Sequence, residues 1–339
     1  IHSRMRSRAP SSIPGPTSVS SSAGSPSVSA STFGVSFARN ASVAMSGKSR
    51  QREPAGSDGG RLLMLEVNPV LWISGVLPMG DHTGVLLTES GEAAMVIGLS
   101  WDLGRVRNQT WIEDLRVSER FTKEIQRLIQ EKGLGGKLGL VGWNFMPSAV
   151  YKALDNIPGV KLEVADFILS SLARFPGREA LPALERAAQI ADIGFSAILE
   201  KAKVGMPEHE VAAEVEYAMR AQGAGDNFGM VTASDHGHCA HPPSERRMRP
   251  GDIIIAEITP AFEGHFVQLC RTAVLGPISA VLREKFTIVE EAMEKSLDRV
   301  RPGVRVGEIS RVMNEVFSAH GYEKYCKPPY MRVRGHGLG

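Results

Sequence analysis

Cysteine is scarce: three among 339 residues, at Cys239, Cys270 and Cys326. An odd number at wide spacing argues against a disulfide framework and suits a reducing compartment. A charge excess is lacking too. The net charge of +2 gives no electrostatic case for nucleic acid. Long apolar runs are missing, and none approaches the roughly 20 residues that span a bilayer. Acidic residues are absent before Glu53, where Arg4, Arg6, Arg8, Arg39, Lys48, Arg50 and Arg52 lie among Ser, Gly, Pro and Ala. That leader lacks the apolar surface to offset its chain entropy, so residues 1–60 are expected to be disordered. Arg- and Ser-rich, acid-poor composition also fits an organelle transit peptide. The other reading is a flexible tail or wrongly included sequence, since the chain opens on Ile1 and both Met5 and Met45 are candidate starts. A cytoplasmic location is expected, with an organelle as the alternative.

What is present describes a soluble globular protein, 42% hydrophobic and 22% charged. Its length suggests about two domains. In residues 61–175, strands are expected at 83–88 and 93–97, a helix over 121–131, a strand at 137–142, a helix over 149–154 and a strand at 160–164. That alternation predicts an α/β domain. From 176 onward the pattern predicts a long helix to 203, a break at Gly205-Met206-Pro207, a helix over 208–222, a strand at 228–232 and a histidine-rich loop. Helices follow over 281–300 and 306–320.

Between the loop and those helices lies Gly251–Thr272, GDIIIAEITPAFEGHFVQLCRT. Ile253 to Ile255 favour a buried strand. Pro260 and Gly264 are expected to punctuate the connection, with a return strand over His265–Val274. An antiparallel pairing brings Glu257 and Gln268 together. Two polar groups between apolar strands are costly to bury without partners, which marks the pair as a candidate site rather than a solvated strand end. Cys270 beside Arg271 reads as a thiol of lowered pKa or, more often, as small core filling. His236, His238, Cys239 and His241 fall within six residues. Their spacing fits no common zinc pattern and reads first as a surface loop.

The hairpin resembles the metal-site hairpin of the pita-bread hydrolases, which include aminopeptidase P, prolidase, methionine aminopeptidase and creatinase. Gly251-Asp252 and Arg271-Thr272 match the family pattern. The two ligand aspartates fall on Glu257 and Gln268, and the Thr before Arg becomes Cys270. His241-Pro242, 16 residues before Glu257, sits where the family keeps a substrate-side histidine. Gly335-His336-Gly337-Leu338-Gly339 matches the loop whose histidine ligates metal. The resemblance implies a creatinase-type amino-terminal α/β domain and an α+β pita-bread domain over 176–339. Its carboxyl-terminal part, with two glutamate ligands, is expected to be missing.

On this resemblance the chain is expected to hydrolyse a C–N bond of a small molecule or short peptide. His241 would protonate the leaving nitrogen and His336 or Glu257 would activate water. Gln268 and Arg271 would bind substrate. Gln268 cannot supply the missing charge, so no dinuclear metal centre is expected. A single Mn, Co or Zn ion at Glu257 and His336 is the alternative. Relatives imply a homodimer. Two rival readings remain: an inactive pita-bread module that binds peptides or proteins, and a metal-dependent Xaa-Pro peptidase with relaxed ligands.

Overall fold

The computed structural model describes residues 33–38, 68–80, 82–143, 146–173, 177–225, 227–237, 240–331 and 334–335. The first unit is a mixed sheet with helices. Its elements are β1 (Phe33–Ala38), α1 (Pro69–Ser74), β2 (Thr83–Leu87), β3 (Ala93–Ile97), α2 (Leu103–Gln109), β4 (Asp114–Val117), α3 (Phe121–Glu131), β5 (Gly136–Val141), α4 (Ser148–Asp155), β6 (Val160–Val164) and α5 (Asp166–Ala173). The strand order is β4-β3-β2-β1-β5-β6. The predicted α/β alternation over 61–175 is present. One strand comes from before it: β1 lies inside the segment expected to be disordered, yet pairs antiparallel with β2 and parallel with β5. The leader expectation is corrected for those six residues, whose backbone groups enter a sheet. The rest of 1–60 lies outside the described residues.

The helical spacing of α3 explains its burial. Phe121, Ile125, Leu128 and Ile129 form one stripe and pack on Leu86, Leu138 and Leu140 of the sheet. Asp102 is buried at the start of α2. Arg105 grips it at 2.7 and 2.9 Å, and the Met79 amide donates to it at 2.6 Å. Burial alone would raise its pKa, but these donors outweigh that and hold the carboxyl below its ordinary value.

The second unit begins with α6 (Leu181–Lys201) and α7 (Glu208–Arg220). A sheet of β7 (Asn227–Ser234), β8 (Ile253–Phe262), β9 (His265–Phe266) and β10 (Leu269–Val274) follows, then α8 (Ala280–Leu297) and α9 (Val306–Ala319). β8 is central, between β7 and β10, and β9 pairs with its end. Strand alternation sorts its side chains. Ile254, Ala256 and Ile258 are buried against Ile190 and Ile198 of α6 and Val211, Val215 and Met219 of α7. Ile253, Ile255 and Glu257 face the other way and are half-buried. The helices approach closely because α6 carries Gly194. A Cβ there would stand 2.9 Å from Met219.

Pro260 does not end the strand as expected. β8 runs through it to Phe262, and its carbonyl still accepts from the Val267 amide at 3.2 Å. The turn is Glu263-Gly264, with φ of 49° and 79°. Two positive φ values match the twist of a tight hairpin, and glycine takes the second without strain. Among the described residues no helix is long and apolar enough to cross a membrane.

Candidate functional site

The tight turn fixes the hairpin register. Phe262 pairs with His265, Ala261 with Phe266 and, past a break at Val267-Gln268, Leu269 with Ile258 and Cys270 with Glu257. The same register sets Gln268 opposite Thr259. Its side chain reaches both neighbours, with Nε2 2.8 Å from Glu257 Oε1 and 3.2 Å from Thr259 Oγ1. An ionised carboxylate only accepts, so the amide must turn its nitrogen toward Glu257. Thr259 is fully buried, while Glu257 and Gln268 are half-buried. The pairing expected from the sequence is therefore present.

Cys270 shares that face, directly across from Glu257. The residue keeps an exposed surface, yet partial burial of its sulfur, and then the Glu257 carboxylate, push the thiol's pKa up. Arg271 pulls it down less. The lowered-pKa thiol is thus corrected, because burial and then the carboxylate outweigh the guanidinium.

Arg271 is not brought to the pair. It lies opposite Ala256, on the face that packs on α6 and α7. Its exposed side chain turns back, with Nη1 donating to the Cys270 carbonyl at 2.9 Å. Alternation gives it the opposite parity from Gln268 and Cys270, beside which it was expected to bind substrate.

His241 is held beside the Glu257 face. Its amide donates to Thr232 Oγ1 at 2.8 Å. Thr232 pairs with Ile255, and the next pair on that face is Met230 with Glu257. The anchor and the carboxylate are therefore about 7 Å apart along the strands. The ring is exposed, with Nδ1 2.7 Å from the Pro242 carbonyl. A carbonyl can only accept, so Nδ1 carries the proton and Nε2 is left to exchange one. Of the other loop residues, His236 pairs with Asp235, and His238 and Cys239 lie outside the described residues. His336 lies outside them too. The residues before it, Arg334 and Gly335, border an open cavity of about 700 Å³ on α9. Arg334 is held there by Asn314 Oδ1 at 3.0 Å and the Tyr325 carbonyl at 2.8 Å.

Two residues of the neighbourhood carry architecture. Gly251, with φ of 84°, turns the chain into β8. Asp252 is buried and takes Arg246 through two bonds of 2.6 and 2.9 Å, plus the Arg249 amide at 2.7 Å. The Arg246 bonds hold its carboxyl below the ordinary range, against the opposing effect of burial. Sequence reasoning also missed Glu208. It opens α7 and looks like an ordinary acidic first-turn residue, yet it is fully buried.

As metal donors the cluster is poor. Glu257 supplies one carboxylate, Gln268 turns a donor toward it, and Cys270 is pushed toward its neutral thiol. Two divalent ions need several anionic ligands, so these residues do not fit a dinuclear centre. Among the described residues no three His, Cys, Asp or Glu converge as a metal site.

Comparison with known proteins places the second unit. Residues 182–339 match the model of metallopeptidase family M24. The chain is similar to the Xaa-Pro dipeptidase of Pyrococcus furiosus, 26% identical over 275 residues that cover 80% of this chain and 75% of that protein. An uncharacterized peptidase of Bacillus subtilis is 32% identical over 168 residues, 48% of this chain and 45% of that one. Among solved structures, a prolidase from Thermococcus sibiricus superposes with a TM-score of 0.67 at 26% identity, covering 79% of this chain and 74% of that chain. An X-Pro aminopeptidase from Thermotoga maritima shares the fold at a TM-score of 0.67 and 20% identity, over 75% and 72% of the two chains. The β7–β8–β10 sheet on α6 and α7, the Gly251-Asp252 and Arg271-Thr272 landmarks and these matches agree: residues 182–339 match metallopeptidase family M24, and the relatives and solved structures support a pita-bread member of it.

Proposed function

We propose that this chain hydrolyses the C–N bond of short Xaa-Pro peptides, using its own side chains at the Glu257 face. One observation carries the reading: the 2.8 Å bond from Gln268 to Glu257 lies on the same sheet face as the Thr232 anchor of His241. Glu257 is the acceptor that takes a proton from water as its oxygen attacks the peptide carbonyl. His241, doubly protonated when it acts, gives its Nε2 proton to the nitrogen as the C–N bond breaks, yielding an acid and an amine, and the proton taken up by Glu257 is then returned to the histidine. Gln268 fixes the Glu257 carboxylate with its nitrogen, which leaves its carbonyl oxygen to accept from the substrate's terminal amino group. The substrate class rests on the relatives, several of which are named Xaa-Pro dipeptidases. A homodimer and a creatinase-type first domain belong to the same proposal.

A panel of Xaa-Pro dipeptides, guanidino acids and N-acyl amino acids tests it. Turnover of Xaa-Pro members, persisting in chelator, is expected. Binding without turnover would favour the peptide-binding module, a reading supported by the neutral Gln268 and Cys270 around a single carboxylate. Turnover abolished by chelator and restored by Mn, Co or Zn would favour a metal-dependent peptidase, to which the family's description points.

A further inference from the structure

Glu208 is a buried ionisable group that this chemistry does not use. It is fully buried at the start of α7, where a carboxylate without partners would be costly. Its partners come from two places. Oε1 accepts from the Ala233 amide of β7 at 2.7 Å. Oε2 accepts from the Ser244 amide at 2.9 Å and the Ser244 hydroxyl at 2.7 Å. Ala233 and Ser244 bracket the loop that carries His241. The Glu208 amide in turn donates to the Arg246 carbonyl at 3.1 Å. The loop's other tether is the Thr232 hydroxyl under the His241 amide.

We infer that Glu208 is a positioning residue: its carboxylate clamps both ends of the 235–244 loop and thereby sets His241 over the Glu257 face. The assignment of His241 as proton donor rests on the proposed function, while the clamp itself does not. A helix-opening carboxylate spent only on the helix dipole would face solvent. This one is enclosed and takes three donors that all lie off its own helix. Glutamine at this position keeps the size and forfeits the clamp. Its NH₂ group must face either the Ala233 N–H or the Ser244 N–H, so one tether is lost.

The test compares Glu208→Gln with the parent protein by amide hydrogen exchange. Protection at His241 and Ser244 is expected to fall about tenfold or more, with Ile254 and Ala256 in β8 unchanged. On Xaa-Pro substrates kcat is expected to fall about tenfold with KM held within about twofold, because misplacing the acid touches the transition state more than binding. Unchanged loop protection would overturn the inference, as would equal loss across β8, which marks a merely structural residue. Loop loosening with wild-type kcat would overturn the link to His241. If Glu208→Gln fails to fold, Ser244→Ala removes one tether at an exposed residue and is read by the same criteria. If no panel substrate turns over, the proposed function falls, and exchange at His241 and Ser244 still decides the clamp.

Discussion

At the scale of single residues, His241 carries the sharpest expectation. His241→Ala should lower kcat by about 10²–10⁴-fold, the range of general acid catalysis. Its melting temperature should hardly move, since the ring is exposed and only the backbone amide is tied to the sheet. A lower melting point with proportionate loss of activity would mark a structural histidine instead. Steady-state kinetics and calorimetry on the purified variant decide between them. Asp252 gives a pH-dependent expectation. Its folded pKa is depressed below the ordinary 3.8, so the stability from the Arg246 pair is fully present above that value. It is lost as pH falls through the lower folded pKa. Asp252→Asn should cost about 2 kcal/mol at neutral pH, below the roughly 3–5 kcal/mol of a fully buried pair because Arg246 is partly exposed. It should also flatten the acid limb of a denaturation series. The Glu257–Gln268 pair was legible in the sequence because two apolar runs joined by a short connection pair antiparallel, and the Glu263-Gly264 turn then fixes the register. Arg271 does not join the pair, and parity accounts for it: 268, 270 and 272 share a face and 271 does not. Glu208 was illegible, since burial of a helix-opening carboxylate is decided by the loop that folds over it.

At the scale of elements, the strongly periodic pieces were readable and the short ones were not. The boundaries of α3 match its apolar spacing, and β7, β8, α8 and α9 follow theirs within a few residues. The short elements α1, α2, β4 and α5 carry too few residues to show a period, and tertiary contacts fix them. Thr110 and Trp111, for example, donate to the Ser74 and Ile73 carbonyls at the end of α1. Pro260 was expected to punctuate the connection; it removes a ladder donor, but its carbonyl keeps a partner and the strand continues. The α6–α7–β8 packing yields a test. Gly194→Val should destabilise by about 1–3 kcal/mol through overpacking against Met219. Gly194→Ala should come out near neutral, because the helix-propensity gain of about 1 kcal/mol offsets a smaller clash. Urea unfolding with matched m-values measures both.

At the scale of the whole molecule, the donor set shapes the expectation for metal. Elemental analysis after dialysis should find fewer than about one tightly held transition-metal ion per subunit, because a lone carboxylate beside an amide cannot offset two divalent ions. Two ions per subunit, with activity lost to chelator, would overturn the reading and return the chain to ordinary family chemistry. The face that carries Glu257 also presents half-buried Ile253 and Ile255 in the same row of β8. A peptide seated there displaces water from hydrocarbon as well as from a carboxylate. Its association should therefore carry a negative heat-capacity change. Titration calorimetry at several temperatures would show the binding enthalpy growing more favourable on warming, while the affinity drifts little because the entropy moves against it.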